Sequence, residues 1–168
     1  MEPQPEPNTL PKKEVETVRI IVKDSQGNIL LLKKSDKSLA KGLYEFPGGK
    51  IDETMGENST LEEQTHASKK ELSEEAGVHD ANIKLDRLGD FSYEFSGNAG
   101  YNNKRKVHVF TAQLTEFKPE LLVGQTKDKE GKPEDFHDGY VWVTKEELNK
   151  LKNENKLVGN STNFADFV

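Results

Sequence analysis

Cysteine is absent from this 168-residue chain. That excludes a disulfide framework, a thiolate zinc site and a cysteine nucleophile, and it fits a reducing compartment. Long apolar runs are missing too. The longest purely aliphatic one, Ile29 to Leu32, falls far short of the roughly 20 residues a membrane-spanning helix needs. No basic-then-apolar leader opens the sequence, so a cytoplasmic location without membrane contact is expected. Hydrophobic residues make up only 32%, no more than charged ones, so part of the chain is expected to stay outside the core. A basic surplus is also lacking: 24 Lys and Arg face 30 Asp and Glu, for a net charge of -6. This balance speaks against a general nucleic-acid binder, though an acidic protein can still act on phosphates where metal ions neutralise the charge.

Four of the seven prolines, Pro3, Pro5, Pro7 and Pro11, crowd the start of the chain. With few apolar side chains around them, residues 1–13 read as a disordered Pro-rich tail, and residues 14–168 as a single domain. Val18, Ile20 and Val22 alternate like a strand. Turn residues 24–28 join them to a buried strand at Ile29–Leu32, as in a hairpin. Pro47-Gly48-Gly49 is a hard break. Ser59 and Thr60 are candidate helix N-caps, with Glu62 and Glu63 as capping-box partners. Leu61, Thr65, Ser68, Leu72 and Ala76 share one face, and Gly77 is the expected stop. Strands are expected at Phe91–Phe95, Val107–Leu114 and Tyr140–Val143, with polar loops over 96–105 and 124–139. Thr144 and Glu147 open a second helix, and a short one is expected over 161–168, packed through Phe164 and Phe167 or Val168. Helices separated by runs of strands predict an α+β fold with a mixed sheet.

The chemistry is concentrated in Lys70-Glu71-Leu72-Ser73-Glu74-Glu75-Ala76-Gly77-Val78. On a helix, Glu71, Glu74 and Glu75 stand at i, i+3 and i+4, so their carboxylates lie on one side. Such like-charge pairs destabilise a helix by roughly 0.2–0.5 kcal/mol each. Two readings are open: a solvated charged face, or carboxylates gathered for hard divalent cations. Gly48-Gly49 permits close backbone approach, and a carbonyl there is a candidate metal ligand, though an ordinary turn after Pro47 has the same sequence.

Together these segments resemble the Nudix hydrolase family, whose box runs glycine, five residues, Glu, seven residues, Arg-Glu-aliphatic-x-Glu-Glu-x-Gly-aliphatic. Residues 70–78 match its second half. Tyr44-Glu45-Phe46-Pro47-Gly48-Gly49-Lys50-Ile51-Asp52 resembles the lead-in, and Trp142–Leu148 the closing strand and helix. The resemblance implies an α/β/α sandwich with a mixed β-sheet between helices. It also implies a divalent-metal-dependent hydrolase, using Mg²⁺ with Mn²⁺ as substitute, that cleaves a diphosphate linkage in a nucleotide. By position, Glu71, Glu74, Glu75 and the Gly49 carbonyl (Gly48 as the lesser candidate) match metal ligands; Glu71 also matches a general base, and Glu74 and Lys70 are catalytic candidates with it. Two departures stand out. Seven residues separate Gly49 from Glu57 and twelve separate Glu57 from Lys70. The second gap's surplus of five fits one or two loop residues plus about one helical turn of 3.6 residues, and leaves Glu57 and Glu62 as rivals for the first box Glu. Lys70 replaces the box Arg, losing a two-pronged contact.

Local likeness leans to the MutT type of nucleoside triphosphate pyrophosphohydrolase. Lys33 and Lys34 stand where that type has two Arg, which, with Lys50, Lys70 and Tyr44, makes them candidate substrate or catalytic contacts. Glu130 matches a further metal-binding Glu, with Glu134 and Asp138 as competitors. Asn160 or Asn163 is the candidate base reader. His66 and His137 are candidates to face the site, and His108 is expected to be structural. Two other functions remain in view: a catalytically silent nucleotide-binding module, suggested by the stretched box and Lys70, and a hydrolase of RNA 5′ ends or dinucleoside polyphosphates, suggested by the basic cluster Lys104-Arg105-Lys106. Nothing in the sequence bears on oligomeric state.

Overall fold

The computed structural model describes residues 13–35, 41–51, 59–79, 83–96, 102–121, 123, 137–158 and 167–168. Its elements in chain order are β1 (Lys13–Lys23), β2 (Ile29–Lys34), β3 (Tyr44–Glu45), β4 (Gly48–Lys50), α1 (Leu61–Ala76), β5 (Lys84–Ser96), β6 (Asn102–Gln113), β7 (His137–Val143) and α2 (Lys145–Asn153). The strands form one mixed sheet in the order β3-β2-β1-β6-β5, with β4 added to β1 and β7 to β2. β1 and β6 run parallel over their length, and the other pairs are antiparallel. Of the expected tail, only Lys13 lies within the described residues, and it opens β1.

The central strands are apolar on both faces because both faces are covered. Val18, Ile20, Val22, Leu30, Leu32, Phe110 and Ala112 pack with Ala67, Leu72 and Ala76 of α1. The alternate residues Ile21, Ile29, Leu31, Val107 and Val109 pack with Phe46, Val143 and Leu148 of α2. The sheet therefore lies between the two helices, as the expected sandwich requires. Truncating Leu72, which is 1% exposed, to alanine would cost about 2–5 kcal/mol.

Both helix starts form as their sequences predict. Thr60 caps α1 and Thr144 caps α2, each closed by a reciprocal capping box with Glu63 or Glu147. Gly77 ends α1 at φ 67°, a left-handed conformation in which a β-carbon would be strained. The inward face of α1 differs from the expected one. Gln64, Ala67, Ser68, Leu72 and Ala76 are buried, whereas Leu61 is 60% exposed. Leu61 has the right helical angle but sits in the first turn, where no described residue covers it. The expected loop 96–105 is another correction. β5 continues to Ser96 and β6 begins at Asn102, paired with it. Polar side chains do not prevent a strand there, because this ladder is held by backbone hydrogen bonds that any side chain allows. The sequence 124–136 lies outside the described residues, as do Phe164, Asn160 and Asn163, while Phe167 and Val168 pack against the α2-side core.

β1 changes neighbours along its length. At Lys23 it pairs with Ile29 of β2, but over Thr17–Arg19 it pairs with Gly48–Lys50. The Pro47 carbonyl accepts from the Ile20 amide at 2.9 Å. The lead-in to the two glycines is thus inserted where β1 and β2 part, beneath α1.

Candidate active site

α1 delivers its carboxylates to that insertion. At 100° per residue, Glu75 and Glu71 both fall within the arc of the buried residues, and Glu74 falls just outside it, beyond Ala67. The exposures agree: Glu75 and Glu71 are half-buried and Glu74 is exposed. The Gly48 amide donates to Glu75 Oε2 at 3.2 Å. A β-carbon on Gly49 would lie 2.6 Å from Glu71 Cδ and Oε1 and 2.8 Å from Oε2. The Glu71 carboxylate thus occupies the space a side chain at 49 would need. At Gly48 the obstacle is backbone, with a β-carbon 2.1 Å from the Val18 carbonyl oxygen. The two glycines therefore do different work: Gly48 lets β4 pair with β1, and Gly49 admits a carboxylate.

Burial pushes the Glu75 carboxyl well above its ordinary value, and the nearby Glu71 charge pushes it further. Arg19 and the Gly48 amide act in the opposite direction. Two carboxylates in one partly desolvated spot are costly unless a cation or proton compensates them. All the donors are hard oxygens, which fits a hard divalent cation. Among the described residues no three His, Asp or Glu side chains converge tightly enough to hold a metal by themselves. A cation here would draw on backbone and substrate oxygens as well, which is how Mg²⁺ is commonly held.

The other predicted residues divide into groups. Lys50, Lys70 and Glu71 line one cavity of about 190 Å³ with His66 and Glu63, so both lysines and His66 stand beside the carboxylates. Lys34 is not a separate cation, because its Nζ lies 2.9 Å from Glu45 Oε1. Lys33 is exposed on β2 opposite Tyr44. Tyr44 is half-buried in the α2-side core, and its backbone bonds to residues 156 and 158. Neither Lys33 nor Tyr44 lines the cavity. Glu62 is exposed in the first turn of α1. Asp138 is the extra, exposed residue of a β-bulge, since Lys33 pairs with Gly139 and Lys34 with His137. Glu57, Glu130 and Glu134 fall outside the described residues. Of the basic cluster, Arg105 and Lys106 are half-buried, and Arg105 lies over the Tyr93 ring and donates to its hydroxyl at 3.2 Å.

Two buried polar networks went unforeseen. The first surrounds Glu45. His137 Nε2 lies 2.7 Å from Glu45 Oε1, and Arg19 Nη1 is 3.8 Å from Oε2 while donating to the Phe46 carbonyl at 2.9 Å. Burial alone would raise this carboxyl, but the His137 hydrogen bond and the Arg19 and Lys34 charges outweigh it and hold it at about 2. The second network anchors the start of α1. Glu16 accepts from the Ser59 amide at 2.8 Å, the Ser59 hydroxyl at 3.0 Å and His108 Nε2 at 2.9 Å. Gln64 Nε2 donates to the Ser59 carbonyl, and Gln64 Oε1 accepts from Arg87 Nε, both at 3.1 Å. Arg87 Nη2 closes the ring at His108 Nδ1, 3.2 Å away. Because a guanidinium only donates, His108 Nδ1 is the acceptor there and its proton sits on Nε2.

Comparison with known proteins decides the family. The NUDIX domain model matches residues 13–161, nearly the whole chain. The chain belongs to the Nudix domain family. This places it among the Nudix-type phosphoanhydride hydrolases. The fold is shared with the NUDIX domain of Shewanella oneidensis NrtR, solved with ADP ribose (TM-score 0.60, 16% identity, covering 92% of this chain and 85% of that one). It is shared also with a MutT protein from Methanosarcina mazei Go1 (0.58, 22%, 95% and 93%) and with the E. coli dihydroneopterin triphosphate pyrophosphohydrolase (0.61, 13%, 89% and 90%). No curated protein matches the chain.

Proposed function

We propose that this Nudix protein is a divalent-metal-dependent pyrophosphohydrolase of the MutT kind. Its substrate would be a nucleoside triphosphate, oxidised forms included, or another nucleoside diphosphate derivative. The observation that carries the reading is the Glu71 carboxylate seated against Gly49, with Glu75 one turn on bound to the Gly48 amide. Glu71, Glu74, Glu75 and the Gly49 carbonyl are the proposed holders of Mg²⁺ or Mn²⁺, with Glu130, Glu134 or Asp138 completing the set. When bound, the cation would supply charge neutralisation on the phosphates and a more acidic attacking water.

The chain's own groups then have separate tasks. Glu71 accepts the proton of the water whose oxygen attacks phosphorus. The bridging P–O bond breaks, and its electron pair leaves with the departing phosphate. Lys70 and Lys50, on the cavity wall beside Glu71, draw the anionic chain into the cleft. Lys34, already shared with Glu45, contributes field more than a direct contact.

The test is a nucleotide panel assayed with Mg²⁺ and with Mn²⁺, including nucleoside triphosphates, ADP-ribose and dinucleoside polyphosphates. Pyrophosphate or phosphate release is expected from at least one, falling about 10²–10⁴-fold in Glu71→Gln. No release from any member refutes the reading. Lys70 in place of Arg favours one alternative, a binding module. Its signature would be nucleotide-dependent stabilisation without turnover.

A further inference from the structure

Glu45 takes no part in the chemistry just described, yet it is 3% exposed and gathers charged or polar partners from three strands. His137 comes from β7, Lys34 from β2 and Arg19 from β1. A buried carboxylate with so many partners joins the strands that part around the inserted lead-in. Its link to the active site is continuous. Arg19, paired with Glu45, donates to the Phe46 carbonyl at 2.9 Å. The Arg19 Cδ lies 2.6 Å from where a β-carbon on Gly48 would sit, so the arginine stem packs directly against that glycine. The Gly48 amide in turn donates to Glu75. The bulge at Asp138 places His137 opposite Lys34, where both reach the same Glu45 oxygen. Arg19 stands between two carboxylates: it attracts both Glu45 and Glu75, while Glu45 and Glu71 repel Glu75.

We infer that Glu45 is a positioning residue of the diphosphate site, acting through Arg19 to fix the Phe46–Gly49 backbone against which Glu71 and Glu75 are set. This rests on the proposed metal-dependent function. Mutating groups that orient metal ligands commonly costs 10–100-fold in metal affinity or activity.

The experiment measures Mn²⁺ binding to the full chain without substrate, alongside kcat and KM on whichever panel nucleotide is cleaved. It compares wild type, Glu45→Gln, Arg19→Gln, the double variant and His137→Asn. Glu45→Gln is expected to weaken Mn²⁺ binding about tenfold and lower kcat at least tenfold, with nucleotide KM within about twofold. The double variant should be no worse than the poorer single one, because both act along one path. Unchanged Mn²⁺ affinity in folded Glu45→Gln, or losses that simply add in the double variant, would overturn the inference. If Glu45→Gln does not fold, His137→Asn carries the test, with a smaller loss in the same direction expected and no loss overturning it. A wild type that binds Mn²⁺ but cleaves nothing refutes the proposed hydrolysis and leaves the affinity comparison decisive. A wild type that binds no Mn²⁺ overturns both.

Discussion

Replacing each glycine of the pair by alanine separates a folding role from a site role. In Gly49→Ala the new β-carbon would meet the Glu71 carboxylate at 2.6 Å. Ordinary contact needs about 3.4 Å, so the carboxylate must retreat by about 0.8 Å. It is the far end of a flexible, half-buried side chain of α1, so the fold yields easily. Unfolding free energy should change by less than about 1 kcal/mol. The chemistry is less forgiving, because a displacement near 1 Å at a reacting group costs about 10²-fold. Gly48→Ala inverts the outcome. Its β-carbon would lie 2.1 Å from the Val18 carbonyl oxygen and 3.0 Å from Arg19 Cα. Backbone must move, β4 loses its register on β1, and the cost should reach about 1–3 kcal/mol or more. Urea melts and the nucleotide assay with Mn²⁺, run on both variants, read the contrast. A Gly49→Ala protein with undiminished kcat/KM, or one destabilised as much as Gly48→Ala, would refute the assignment of Glu71 to the site.

Three other outcomes follow from the buried charges. Glu45 at about 2, against an ordinary 4.5, contributes stability present above pH 4.5 and lost as pH falls towards 2. The difference is worth about 3 kcal/mol, so acid titration of Glu45→Gln should show a shallower loss over that window than wild type. Glu16 is likewise lowered, because its His108 and Ser59 hydrogen bonds outweigh the opposing effect of burial. Glu16→Ala, which strands Ser59 and His108, should cost about 3 kcal/mol in urea melts, and a cost under about 1 would mean the ring does not hold α1. Glu75 has the opposite sign: its raised carboxyl makes folding less favourable as pH climbs above 4.5. Mn²⁺ should therefore raise the melting temperature more at pH 8 than at pH 5, and an equal rise at both would disconnect Glu75 from the cation.

What the sequence made legible was local. Thr60 with Glu63, Thr144 with Glu147, and Gly77 are signals a few residues long whose partners lie within the same turn, so both capped helices could be placed before any coordinates. The carboxylates at i, i+3 and i+4 and the glycine pair were legible for the same reason. What stayed hidden was contact between distant residues. His108 meets Glu16, and His137 meets Glu45, each across 92 positions. Nothing near Glu45 in the chain distinguishes a buried hub from a solvated residue. One clue is present in the sequence. Arg19 sits between Val18 and Ile20 in a strand that is apolar on both faces, and a charge there requires a partner.

α1 begins at Leu61, capped by Thr60, and ends where Gly77 turns left-handed, so the Glu71–Glu75 segment keeps its distance from the fixed C-terminal end. Any residues added within the helix before it would lengthen α1 away from the glycines. A longer lever of this kind would rotate the carboxylates off Gly48 and Gly49 unless its free end were held. The Glu16–Ser59–Gln64–Arg87–His108 ring holds that end, tying it to β1 and β6 through the buried Glu16 and His108 and to β5 through the exposed Arg87. Gln64 sits in the first turn and is 5% exposed, which makes it the most economical point of attack. Gln64→Leu leaves Arg87 Nε without its acceptor and removes the donor to Ser59 while keeping helix propensity. Released at one end, α1 should fray from residue 60 towards Ala67, seen as faster amide exchange there, and Mn²⁺ affinity should fall with it. Faster exchange confined to the first turn, with Mn²⁺ affinity unchanged, would show that the carboxylates are held in place by the C-terminal half of the helix alone.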